Sequence, residues 1–355
     1  MQQLLKEREI LPLLNDKPWE ERRKELFDIL CEYAYGYTPK APEEVRSKII
    51  YEDKNAYAGK VFEQHIEISF DTPGGEYSFP IKMFIPFAAE KPPVLLHLAF
   101  RPEVPDRYVP AEEICDHGYA LVVVCYQDIT PDSYFGDFSA GLAAKYIKDN
   151  QRRPDEWGKI GMWAFGASRV IDYLVTRDDL DKNEISVIGH SRLGKTALWC
   201  AAQDARVYCV MANNAGYCGA SLSKNSGKER IDMFLEVGSY DWFCPRFTEF
   251  NHRDNEKPYD QHFLLALIAP RYIYVASAED DFAADPTGEL LSCIAANDAY
   301  KLYGKNGVCN ADKLPPVGTK LHDGEIGYHL RAGSHFLSRY DWLSFMEFLD
   351  EKRND

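Results

Sequence analysis

The stretch ISVIGHSRLGKTALWC, residues 185–200, decides how this chain is read. Its centre answers to two incompatible patterns. Gly189, Gly194, Lys195 and Thr196 satisfy G-x-x-x-x-G-K-[ST], a loop whose backbone N–H groups cradle phosphate. The same residues set Ser191 on a turn between an apolar run and a helical pattern, the place of the serine in a nucleophile elbow. Either motif needs a strand, a tight turn and a helix, and ISVIG followed by RLGKTALWCAAQ supplies them.

The surrounding sequence separates the two. A phosphate loop of the nucleotide-hydrolysing kind usually opens its domain and needs an acidic residue at the end of another strand to hold Mg²⁺. Here the motif comes after at least two strand-like runs. An elbow calls for serine, then an acid, then a histidine, on loops at the carboxyl ends of strands. Asp281 follows the apolar run RYIYVASA in SAEDDFAADP, and His335 closes YHLRAGSH, so the order is met. Asp280 and Asp285 are the alternatives for the acid, and Asp281 is favoured. The elbow formula G-x-S-x-G departs at one place: Leu193 stands where glycine is expected, and glycine comes one residue later at 194.

At 355 residues and 45% hydrophobic, the chain is long enough for one large α/β domain with additions or for two small domains, and a single catalytic domain is the default expectation. A net charge of -15 repels phosphate backbones and anionic membrane surfaces, which excludes nucleic acid and membrane as expected partners. The N-terminal MQQLLKEREILPLL carries no cationic start followed by a long apolar stretch, and no run of 18 apolar residues occurs, so a soluble, cytoplasmic protein is expected. Nine cysteines, an odd number without C-x-x-C pairs, fit a reducing compartment. Cys125, Cys200 and Cys209 read as inert core thiols, while pairing of Cys218 with Cys244 stays open. No group of residues has metal-ligand spacing, so neither metal nor cofactor is expected. The sequence is silent on oligomeric state.

Residues 1–48 read as a charged helical cap: PWEERRKELFDILCEYAYGY has apolar residues at helical spacing, and Pro39 and Pro42 close the segment. Residues 49–355 read as the catalytic domain. VFEQHIEISFDTPGGEYSFPIKMFIPF alternates about Thr72–Gly75 and predicts an antiparallel hairpin. From Pro92 the runs PPVLLHLAF, YALVVVCY, ISVIGH, YCVMANN and RYIYVASA alternate with helical patterns such as SAGLAAKYIKDN and GMWAFGASRVIDYLVTR. Strands alternating with helices imply an α/β fold in which a mostly parallel sheet is covered on both faces.

Gly189-x-Ser191-Arg192-x-Gly194-Lys195 resembles the G-x-S-R-x-G-K signature of the glucuronoyl esterases, carbohydrate esterase family 15. The blocks WGKIGMWAFGASRVIDYL, GHSRLGKTALWCAAQDARV, YDQHFLLALIAPR, DFAADPTGE and IGYHLRAGSH resemble bacterial members and cover roughly residues 90 to 350. The resemblance implies an α/β-hydrolase fold, a three-layer sandwich, and cleavage of the ester between glucuronic acid and a lignin-type alcohol. It implies Ser191 as nucleophile, His335 as general base and then acid, Asp281 as the carboxylate orienting the imidazole, and Arg192 in oxyanion stabilisation. It also implies Lys195 and Glu229 as sugar contacts, and no metal. The rate is then expected to rise with pH as the imidazole of His335 becomes neutral.

Two departures accompany the resemblance. Fungal and many bacterial relatives place the triad glutamate in a Glu-Ser-Gly segment, where this chain has Asn213-Asn214-Ala215-Gly216. The family pattern D-x-W-A-D-P reads Asp281-Phe-Ala-Ala-Asp-Pro286, so Ala283 removes a sugar-stacking tryptophan. Trp242, in the loop-borne SYDWFCPRF, is the remaining candidate to border a substrate pocket, with Phe243 read as core. His190 is expected to pack or to hydrogen-bond, and His262 to be a structural histidine. Acetyl-ester hydrolysis on small carbohydrate esters is the close alternative. A carbohydrate-binding protein that has lost catalysis, motivated by Asn214 and Ala283, and a nucleotide-binding protein built on Lys195 are the readings from other classes.

Overall fold

The computed structural model describes residues 1–354. Ten strands form one sheet: β1 Val45–Asn55, β2 Val61–Thr72, β3 Gly75–Pro86, β4 Pro93–Ala99, β5 Ala120–Cys125, β6 Asp181–His190, β7 Val207–Asn213, β8 Tyr272–Ala278, β9 Thr319–Leu321 and β10 Ile326–Arg331. Their spatial order is β1-β2-β3-β5-β4-β6-β7-β8-β10-β9. The six strands from β5 to β10 in that order are parallel, so their carboxyl ends share one edge, while β1–β3 and β9 add antiparallel flanks. This is the α/β-hydrolase arrangement expected from the sequence.

The central strands are apolar without interruption because both faces are covered. In β5, Ala120, Val122 and Val124 face one core, and Leu121 and Val123 face the other. The first core holds α2 Trp19–Leu30, α3 Lys159–Leu174, α4 Arg192–Gln203, α5 Gln261–Ile268 and α6 Pro286–Lys301. The second is closed by a short helix, Ala111–Asp116, and by the C-terminal α7 Arg339–Asn354, which contributes Trp342, Phe345 and Phe348. No helix among the described residues is long and apolar enough to cross a membrane.

The N-terminal segment packs on the first layer rather than standing apart. Phe27 and Tyr35 stack on the indole of Trp199 in α4, with ring centroids 5.5 and 4.4 Å away. The terminal helix α1, Gln2–Arg8, reaches further, and Arg8 pairs with Asp285 at 2.8 Å. The helical run ends at Tyr35, and β1 begins at Val45, inside the segment that sequence periodicity assigns to the helical cap. The cause is edge pairing: Val45 to Asp53 extend the hairpin of β2 and β3 into a three-stranded antiparallel unit, in a register that pairs Val45 with Phe70.

Candidate active site

Ser191 is the only residue between β6 and α4. Its backbone sits at φ 57°, ψ -126°, a conformation costly for a residue with a side chain. The turn is held by Ser191 N–H donating to Asn213 O at 2.9 Å, and by Gly194 and Lys195 N–H groups donating back to Ser191 O at 2.9 and 3.1 Å. A Cβ on Gly189 would lie 2.0 Å from the Leu193 carbonyl oxygen, so strand and helix meet there only through glycine. Position 193 needs no glycine: the Leu193 side chain is buried in the first core, and it is Gly194 whose missing Cβ faces Ala215 and Gly189 at 3.1 and 3.2 Å. A one-residue turn has no room to wrap a phosphate, which removes the nucleotide-binding reading. Lys195 is buried and donates to Ala215 O at 2.6 Å.

Asp281 and His335 come together at the carboxyl ends of β8 and β10. His335 Nδ1 lies 2.6 Å from Asp281 Oδ2. Burial opposes charge on Asp281, but the hydrogen bonds from His335, Ala284 N–H and Asn214 outweigh it and hold the carboxyl below its ordinary range. Asn214 donates to the same Oδ2 at 2.6 Å, so the residue standing at the relatives' glutamate position hydrogen-bonds a carboxylate instead of supplying one. Asp285 is taken by Arg8, and Asp280 is exposed. The imidazole of His335 lies against that of His190, the residue before the serine, with centroids 4.5 Å apart. His190 itself is bonded to Asn213 Oδ1 at 2.6 Å, and burial drives its pKa down to about 3, which leaves it a neutral packing partner.

Arg192 opens α4, where its backbone N–H belongs to the first turn that the helix leaves unsatisfied. Its guanidinium pairs with Asp132 and lies 4.4 Å over the ring of Trp242. Trp242 in turn donates Nε1–H to the other Asp132 oxygen at 2.8 Å. The face of Trp242 is thus covered by Arg192, and the indole is largely buried. Asp132 was not singled out from sequence; its one signal is its place in the loop beyond β5, at the same edge of the sheet.

Burial pushes Lys195 down in pKa, opposed first by the carboxylate of Glu229. Glu229 accepts from Tyr217 N–H at 3.2 Å and lies over Gly216, where a Cβ would come within 3.0 Å of it. Beneath this turn the fully buried Glu289 accepts from Gly216 N–H at 3.0 Å and from Ser277, and burial raises its pKa to about 8. Phe282 and Ala283, which follow Asp281, are both exposed. His262 is bonded to Leu11 O at 2.9 Å, as a structural histidine should be. Among the described residues one group has metal-ligand proximity, His322 with Glu347 and Glu351. It lies on α7 and the turn after β9, away from these loops, and its members are too far apart in sequence to show as a spacing motif. All nine cysteines are unpaired, Cys218 and Cys244 included.

A family model described as fungal glucuronyl esterase matches residues 151–304. The carbohydrate esterase MZ0003, from an unknown prokaryotic organism, is 33% identical over 94% of this chain and 85% of its own. The 4-O-methyl-glucuronoyl methylesterase of Podospora anserina is 28% identical over 74% of this chain and 52% of its own. A solved glucuronoyl esterase from Solibacter usitatus superposes with a TM-score of 0.86 at 33% identity, covering 96% of this chain and 94% of that one. Likeness of this extent makes the chain a carboxylic ester hydrolase belonging to carbohydrate esterase family 15, the glucuronoyl esterases.

Proposed function

We propose that the chain cleaves esters of glucuronic acid through an acyl-enzyme on Ser191. The observation that carries this reading is the hydrogen bond of 2.6 Å between Asp281 and His335 Nδ1, with the imidazole lying against the residue before the elbow serine. With Nδ1–H directed at Asp281, Nε2 keeps its lone pair. Ser191 Oγ attacks the ester carbonyl carbon as its proton passes to Nε2. The tetrahedral oxyanion is met by the Arg192 N–H at the start of α4, with the guanidinium held nearby on Asp132 and Trp242. On collapse the alcohol leaves with the proton from Nε2, and water, deprotonated by the same nitrogen, then frees the uronic acid and the serine. Lys195 and Glu229 supply the polar contacts to the sugar, and Trp242 acts on substrate through Arg192.

Relatives named 4-O-methyl-glucuronoyl methylesterase support a uronate ester as substrate. A second reading, a carbohydrate acetate, is favoured by Ala283, which leaves no aromatic surface at that position. Nine unpaired thiols support a reducing, cytoplasmic compartment. The test is hydrolysis of benzyl glucuronate beside a simple acetate ester, by the wild type and Ser191→Ala, with EDTA present. Serine-dependent cleavage of the uronate ester upholds the proposal. Cleavage of acetate alone moves the substrate, and activity retained by Ser191→Ala overturns the mechanism.

A further inference from the structure

The loop that presents His335 is built around a buried guanidinium. The His335 side chain is 46% exposed, and its contacts are with Asp281 and the ring of His190. A half-exposed imidazole keeps its aim only if the backbone beneath it is fixed. Arg331, the last residue of β10, sits directly beneath. Its Nη1 donates to Ala332 O at 2.9 Å, and its Nη2 donates to Ser334 O at 3.2 Å and to Phe336 O. These last two are the carbonyls immediately before and after His335.

The guanidinium is itself anchored. Nε lies 3.0 Å from both oxygens of Asp341, a fully buried carboxylate in the first turn of α7. Asp341 also accepts from His329 Nε2 at 2.9 Å and from Ser338 N–H and Oγ–H, both at 2.6 Å. The base's loop is tied to the acid's loop as well, through Glu279 N–H to Arg331 O at 2.8 Å and Asp280 N–H to Gly333 O at 3.0 Å.

We infer that Arg331, clamped by Asp341, is the positioning residue of the base: it grips the carbonyls on either side of His335 and so sets the direction of Nε2. The inference rests on His335 being the base. Only a planar fork does this work, since one guanidinium meets a carboxylate on one side and three carbonyls on the other, whereas a lysine ammonium keeps the charge and loses the geometry. Nothing in the network reaches towards the sugar contacts, so its loss falls on the chemical step and leaves binding alone.

The experiment compares wild type, Arg331→Lys, Ser338→Ala and His335→Ala on benzyl glucuronate, with melting temperatures and the rate of Ser191 labelling by a serine-directed phosphonate. Misplacing a catalytic group by about 1 Å costs about 10²-fold, so kcat of Arg331→Lys is expected to fall by that order with KM nearly unchanged. The labelling rate falls in parallel. Ser338→Ala, which removes one hydrogen bond to Asp341, shows a smaller loss of the same kind, and carries the test if Arg331→Lys does not fold. Folded variants with wild-type kcat, or with the whole loss in KM, overturn the inference. Activity retained by His335→Ala would instead overturn the assignment of the base.

Discussion

Replacing Asp281 by asparagine removes one charge and almost no volume, and the geometry fixes the consequence for the imidazole. Oδ2 of Asp281 accepts from both His335 Nδ1 and Asn214 Nδ2, each at 2.6 Å, while Oδ1 accepts from Ala284 N–H at 3.3 Å. An amide at this position has two orientations. With its oxygen towards His335 it keeps the tautomer, but its NH₂ opposes Ala284 N–H and the imidazolium formed during catalysis loses its counter-charge. With its NH₂ towards His335 it opposes the Asn214 amide, forces Nδ1 to accept, and puts the proton on Nε2, where no base remains. Both outcomes remove the orienting carboxylate, a change worth about 10³- to 10⁴-fold in kcat, or about 4–5.5 kcal/mol of barrier. KM should stay within about threefold, because a buried carboxylate makes no substrate contact. Steady-state hydrolysis of benzyl glucuronate by purified Asp281→Asn reads both constants. A kcat within tenfold of wild type would refute the assignment of Asp281 as the acid.

Gly189→Ala should abolish activity and cost about 3 kcal/mol in urea unfolding, since its Cβ would lie 2.0 Å from a backbone oxygen, whereas Gly194→Ala, at 3.1 Å from a methyl, should be milder; equal effects would contradict the elbow geometry. Lys159→Met leaves Asp241 buried without its 2.7 Å ion pair, and should cost about 3–5 kcal/mol by the same measurement. Burial lowers His97 to about 4, below the value of about 6.5 for an unfolded histidine, so its stability contribution is complete above pH ~6.5 and is lost as pH falls towards 4. Urea midpoints at pH 7, 5.5 and 4.5 should fall more steeply for wild type than for His97→Gln; identical slopes would rule out a neutral buried His97.

The parallel strands were legible because a strand covered on both faces is an apolar run, and ISVIGH and RYIYVASA ended where β6 and β8 end. The edge strand β1 was not, because its residues are mostly exposed and carry neither a helical nor a strand stripe, and only pairing with β2 defines it. The order serine, acid, histidine was readable as a motif, and the structure brings Asp281 and His335 within hydrogen-bond distance. Asn214 read as a loss, since sequence shows that an amide cannot supply charge but not that it donates to Asp281. Asp132 and the Arg331–Asp341 pair had no motif at all: their partners meet only in the folded chain, at sequence separations no local pattern records. Trp242 was noticed for its ring, whose face the Arg192 guanidinium covers.

The proposed mechanism depends on Ser191 as the nucleophile, and incubation with a serine-directed fluorophosphonate, followed by intact-mass and peptide mapping, tests that assignment. One adduct per chain is expected, on the peptide containing Ser191, with loss of esterase activity in step and no adduct on Ser191→Ala. An active enzyme that remains unlabelled, or that is inactivated by an adduct on another residue, would rule it out.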